Sequence, residues 1–157
     1  MDIIINGFKD FFGNYMIVSA ILGWLSAQII KIFTGLYQSK QMSLKNILFS
    51  TGGMPSSHSA SVLALTTAAA FQHGLASSQF AICAVLSMIV MIDASGVRYE
   101  TGKQAALLNK ITQEIFSGKP ELMNNGLKEL VGHTPFQVLV GALLGVVVGV
   151  AMFFVMK

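Results

Sequence analysis

Four stretches of this chain are long, apolar and almost uncharged, at about residues 16–37, 57–76, 79–99 and 136–156. Roughly 20 such residues are what a helix needs to cross a hydrocarbon core ~30 Å thick. The spacing therefore predicts an all-α polytopic membrane bundle of about four transmembrane helices. Composition closes off the soluble alternative: 54% of the residues are hydrophobic and 11% charged, whereas soluble domains carry roughly 25% charge. Residues 1–157 read as one integral membrane domain.

Between the third and fourth windows the pattern changes. Ala105, Leu108, Ile111 and Ile115 recur at helical spacing while Lys103, Lys110 and Glu114 fall largely elsewhere on the wheel, which predicts an amphipathic interfacial helix over about 101–117. Gly118, Lys119 and Pro120 break it, and Asn124 to Gly126 mark a further turn. Residues 1–15 suit a second interfacial helix through Ile4, Phe8, Phe11 and Phe12. No basic region precedes the first apolar residues, so no removable signal peptide is expected. The formal charge of +3 is scattered and gives no reason to expect nucleic acid. The single cysteine, Cys83, reads as a small buried hydrophobe.

Four spans place the first and third connections on one side. Lys40, Lys45, Arg98, Lys103, Lys110, Lys119 and Lys128 fall there, against Lys9 and Lys157 on the other. The positive-inside rule then predicts a multi-pass cell-membrane protein with those loops cytoplasmic and both termini outside.

The ionisable residues within the spans concentrate toward that same side. A charge at mid-bilayer costs at least about 2.5–3.5 kcal/mol on insertion scales, so each has a reason to be there. Lys31 lies near the end of the first span with Gln28 almost one turn earlier, and Asp93 lies near the end of the third, followed by Arg98. Lys31 is either a ligand for an anion or a side chain snorkelling to the interface. Asp93 is a supporting group or simply an ion-pair partner of Lys31 or Arg98. Each of the other two spans is preceded by a histidine in a turn: His58 in the run Gly52-Gly-Met-Pro-Ser-Ser-His, and His133 in Gly132-His-Thr-Pro. Ser56 and Ser57 are good helix caps, and Thr134 caps a helix that has Pro135 at its first position. Two helix N-termini facing one compartment beside Lys31, Arg98, Lys103, His58 and His133 make a site for a phosphate group. Gly141, Gly145 and Gly149 form a small-residue stripe suited to close helix packing, or to a homodimer.

These segments resemble the type 2 phosphatidic acid phosphatase superfamily, which includes vanadium-dependent haloperoxidases, and most closely its divergent bacterial and plant branch. The resemblance rests on Gln28-x-x-Lys31, Gly52 to Ser59, Asp93-Ala-x-Gly-Val-Arg98, Gly102-x-Gln-Ala105 and Leu127 to Pro135. It covers nearly the whole chain. It implies that His133 attacks phosphorus to give a phosphohistidine and that His58 protonates the leaving oxygen. Lys31, Arg98, Lys103, Ser56, Ser57 and Thr134 would bind phosphate, with Asp93, Gln28 and Gln137 supporting. No metal or other cofactor is implied; the partner is a phosphorylated lipid or isoprenoid in the bilayer.

The chain departs from the parent pattern at several positions. Gln137 stands where the parent has an aspartate that orients the nucleophile, Gly126-Leu127-Lys128 replaces a Ser-Arg pair, and Gln38 and Ser39 occupy the arginine and proline places after Lys31. Ser57 replaces the glycine before His58. Two readings follow: a membrane phosphohydrolase, or a catalytically inactive relative that binds or transports a phosphorylated lipid or other anion.

Overall fold

The computed structural model of the protein describes residues 2–38, 53–115, 127 and 132–156. They form helices and no strand, as expected where lipid offers the backbone no hydrogen-bond partner. We number the helices α1 (Asp2–Gly13), α2 (Tyr15–Gln38), α3 (Ser57–His73), α4 (Ser78–Ser95), α5 (Val97–Ile115) and α6 (Pro135–Met156). Ser39, Lys40, Lys45, Gly52, Lys128, Lys157, the Gly118 to Pro120 break and the Asn124 to Gly126 turn lie outside the described residues.

The helix boundaries follow from local chemistry. Asn14 Oδ1 accepts the N–H groups of Met16 and Ile17 at 3.0 and 3.2 Å, so α2 starts directly after α1. Ser56 and Ser77 cap α3 and α4 by accepting from the N–H groups of Ser59 and Phe80. Helix α3 ends at Gly74, whose φ of +82° suits glycine and whose N–H closes onto the Ala70 carbonyl. At Gly96 the chain leaves α4 and α5 begins one residue later, so the third apolar element ends at Ser95 rather than at 99 and the amphipathic helix starts before 101.

Helices α2, α3, α4 and α6 run alternately from one end of the bundle to the other. Tyr15 at the start of α2 donates to the Gly149 carbonyl near the end of α6 (2.8 Å), and Phe71 of α3 stacks on Phe153 of α6 at that same end. Three segments are long and apolar enough to cross a bilayer: Tyr15–Thr34, the stretch Ser78–Ile115 that holds α4, and Pro135–Met156. Helix α3, expected as the second span, is shorter. Its 17 residues rise only about 26 Å. It is also the most enclosed helix: Ala60, Ala64, Ala68 and Ala69 are fully buried, and α2, α4 and α6 all pack against it. A helix surrounded by protein has less need of the large apolar side chains that lipid-facing helices display. Ile82 and Ile89 of α4 and Val147 of α6 are more than half exposed, as a bilayer-facing surface requires.

Small residues allow this packing. A Cβ on Gly145 would lie within van der Waals overlap of the Ala60 carbonyl, and one on Gly23 of α2 would meet the same carbonyl from the other side. Gly141 lies against the Ser56 backbone, and Gly149 against Thr67 and Ala64. The glycine stripe of α6 is thus covered by α3 of the same chain, which removes the stripe as a surface for a homodimer. Polar side chains add a further link: Thr66 Oγ1 and Ser87 Oγ are 2.7 Å apart between α3 and α4.

Candidate active site

The ends of α2 and α4 and the starts of α3 and α6 meet at one end of the bundle. Two hydrogen bonds fix them. The Ser56 N–H donates to the Gln137 carbonyl (3.2 Å), tying the start of α3 to that of α6, and the His133 N–H donates to the Ala94 carbonyl (3.1 Å) at the end of α4. Gly132 approaches the Arg98 and Tyr99 backbone so closely that any Cβ would overlap it. The turn that carries His133 is therefore seated on the junction of α4 and α5.

Between these elements lies a cavity of about 220 Å³ lined by His58, Ile89, Val90, Asp93, Ala94, Arg98 and His133. The two histidines, 75 residues apart in sequence (133 − 58), share it. Arg98 donates its Nε–H to Asp93 Oδ2, which decides between the two partners open to Asp93 in the sequence. Both side chains are partly exposed at the rim. The ion pair engages Arg98 through Nε, so its terminal nitrogens are not engaged by Asp93.

Lys31 is 4% exposed and Gln28 is 5% exposed. The Lys31 methylenes lie against Gly53, whose φ of +94° suits glycine. The Lys31 ammonium has no carboxylate partner among the described residues. Its stem is enclosed rather than lying along the surface, unlike a snorkelling side chain.

Of the residues assigned to phosphate, Ser56 is fully buried. Its hydroxyl accepts from both the N–H and the Oγ of Ser59. Ser57 is buried in the first turn of α3. Lys103 faces elsewhere: it pairs with Glu100 at 2.8 Å, lies 4.4 Å over the Tyr99 ring, and is not among the residues lining the cavity.

Thr134 and Gln137 form a reciprocal capping box at the start of α6. The Gln137 N–H donates to Thr134 Oγ1 (3.4 Å), and Gln137 Oε1 accepts the Thr134 N–H (3.1 Å). The same Oε1 lies 3.4 Å from His133 Nδ1. On the other side of the ring, Nε2 is buried and has no hydrogen-bond partner among the described residues. The His133 side chain, 3% exposed, thus presents an unpaired nitrogen at the cavity. Burial holds its pKa below the ordinary imidazole value, and the Lys31 charge adds to the effect; the Gln137 contact opposes it, the neighbouring His58 lowers it slightly, and the Gly53 backbone raises it slightly. At neutral pH the ring is therefore mainly neutral.

Sequence reasoning missed the apolar wall, Ile89 and Val90, and the Ala94 carbonyl that anchors His133. The Thr-x-x-Gln spacing of a capping box was there to be read. Ile89, Val90 and Ala94 carry no sequence signal, because helix packing alone brings them to the cavity.

A family profile described as "Divergent PAP2 family" matches residues 12–148. The "Uncharacterized membrane protein YuiD" of Bacillus subtilis (strain 168) is 38% identical, over 85% of this chain and 90% of that one. No solved structure matches significantly.

Proposed function

The chain belongs to the divergent PAP2 family, and from that membership and the cavity geometry we propose that it is a membrane phosphohydrolase acting on a lipid or isoprenoid phosphate. The observation that carries the reading is His133: a buried imidazole whose Nε2 has no hydrogen-bond partner among the described residues, in one cavity with His58 and near the enclosed cation Lys31, which has no carboxylate partner among them. An anion that contacts these groups offsets the cost of burying them unpaired.

In the proposed reaction, His133 Nε2 attacks phosphorus, forming the N–P bond as the bond to the lipid oxygen breaks. His58, protonated, gives its proton to the departing oxygen, so the lipid leaves as an alcohol. Water then attacks the phosphohistidine, His58 takes the water's proton, and the N–P bond breaks to release inorganic phosphate. Lys31, Arg98 and the N–H groups at the start of α3 stabilise the charge on the equatorial oxygens. Ser57 and Thr134 are further candidate donors. Lys103 would contribute only after leaving Glu100. Ile89, on the cavity wall and also exposed on the bilayer side of α4, gives the lipid chain an apolar path from the phosphate into the membrane. The excess of basic residues in the first and third connections of the sequence supports a cytoplasmic site.

The test is phosphate release from long-chain phosphatidate and isoprenyl phosphate by the purified protein in lipid nanodiscs. His133→Ala is expected to fall to background and His58→Ala by about 10²–10⁴-fold, both with unchanged helical circular dichroism. Full activity in His133→Ala would overturn the reading. The neutral Gln137, in place of a carboxylate, favours a second reading: a protein that binds the lipid phosphate without cleaving it. Saturable binding with no phosphate released by the wild type would establish that one instead.

A further inference from the structure

Near its end, α2 takes hold of the segment that leads into α3. The Thr34 hydroxyl donates to the Met54 carbonyl at 3.0 Å, across 20 residues of sequence. The same hydroxyl lies 3.2 Å from the Lys31 carbonyl, the local bond that a helical threonine commonly makes with the preceding turn. A hydroxyl has one hydrogen, so the two carbonyls share it, and the shorter contact goes to the segment before α3.

The residue beside Met54 is Gly53, and the Lys31 methylenes lie against it. The Gly53 backbone also faces the His133 ring. Two residues beyond Met54, the Ser56 N–H is tied to the Gln137 carbonyl of α6 at 3.2 Å. The run from Gly53 to Ser56 is therefore held from two sides, by α2 through Thr34 and by α6 through Gln137. It leads directly into the first turn of α3, whose N–H groups have no partner further back in the helix. A lysine side chain has four carbons between backbone and charge, so enclosing the stem does not by itself fix the ammonium. A turn anchored alongside the stem does.

We propose that Thr34 is a positioning residue for the anion site: its hydroxyl latches the Gly53–Met54 turn onto α2, and the latched turn holds the Lys31 ammonium where an anion meets it together with the start of α3. The inference rests on the anion site of the proposed function and not on turnover there. The Lys31 charge acts on both His58 and His133, so a released turn loosens the cation from both imidazoles at once. Serine can make the same bond, whereas valine keeps the shape of threonine and has no donor.

The test is binding of inorganic phosphate to the purified protein in lipid nanodiscs, measured by titration calorimetry. Thr34→Val should weaken binding about three- to tenfold, the range that one hydrogen bond commands, while Thr34→Ser stays within about twofold of the wild type. Thr34→Ala, which cannot crowd the turn, should match Thr34→Val with unchanged helical circular dichroism. Unchanged binding in both overturns the proposal, and so does loss of the helical fold in Thr34→Ala, which would make the residue structural. Lys31→Met supplies the comparison that separates positioning from packing. In that background Thr34→Val should weaken binding by less than about a further twofold, because its effect runs through Lys31. A full additive loss in the double variant, or a wild type that binds no phosphate, overturns the proposal.

Turnover supplies a second arm. Thr34→Val should raise KM for the lipid phosphate by the factor seen in binding and keep kcat within about twofold, the pattern of a lost ground-state contact. A lowered kcat at unchanged KM contradicts the proposed role. Absence of phosphate release by the wild type sinks the phosphohydrolase reading and leaves the latch to be decided by the titrations.

Discussion

At the residue scale the site depends on a buried cation and a neutral imidazole kept close together. In the proposed reaction His133 has to be unprotonated to attack. Burial and the Lys31 charge both push its pKa down, so the neutral form persists to lower pH than in a free imidazole of pKa about 6.5. The acidic limb of the rate profile is therefore expected below that value. Lys31→Met removes the positive neighbour, which moves the limb upward and raises KM for the lipid phosphate; a limb that stays put in the variant would show that Lys31 does not act on His133. The two histidines were legible in the sequence because each sits in a short turn before a helix start. Lys31 was legible because charge within a span is costly. Lys103 is expected in the basic lining from its place just beyond the third span, yet Glu100 stands three residues earlier on the same helix, the spacing at which opposite charges meet. The sequence marks Gln137 as a supporting group in the place of a carboxylate, and its Thr-x-x-Gln spacing also fits the capping box that the structure shows.

At the element scale, hydropathy found the lipid-facing helices well and described α3 less well. Apolarity along a segment reports how it suits lipid; α3 touches other helices over most of its surface, and its alanines and serines answer to them. The glycines of α6 were legible as a packing stripe, but nothing in the sequence named α3 as the helix that would cover it. That contact makes a prediction. Gly145→Ala places a methyl group against the Ala60 carbonyl, where the backbone has no room to yield, and overpacking of this kind costs about 1–3 kcal/mol or more. Thermal unfolding in detergent should show a lowered midpoint for Gly145→Ala and little change for Gly7→Ala, since a Cβ on Gly7 meets nothing. Equal midpoints would contradict the α3–α6 packing. Gly141→Ala should affect activity as well as stability, because the atoms it displaces belong to Ser56, two residues from His58.

At the scale of the whole molecule, one end of the bundle gathers both histidines, and the proposed orientation turns that end toward the cytoplasm. In a Cys83→Ala background, Lys103→Cys on the exposed face of α5 should resist a membrane-impermeant maleimide in intact cells, while Lys9→Cys on α1 should react. The reverse pattern would invert the orientation. Four helices alternate along the bundle, yet three segments are long and apolar enough to span alone, and α3 lies among the others. The bundle brings the starts of α3 and α6 side by side, so the proposed anion site has imidazoles from distant parts of the chain. The most direct measurement is to quench the protein during turnover of a ³²P-labelled lipid phosphate and map the acid-labile, base-stable label by mass spectrometry. We predict phosphohistidine at His133, absent in His133→Ala and accumulating when His58 is replaced by alanine and a good leaving group is supplied. A wild-type protein that releases phosphate while carrying no label at His133 would contradict the account.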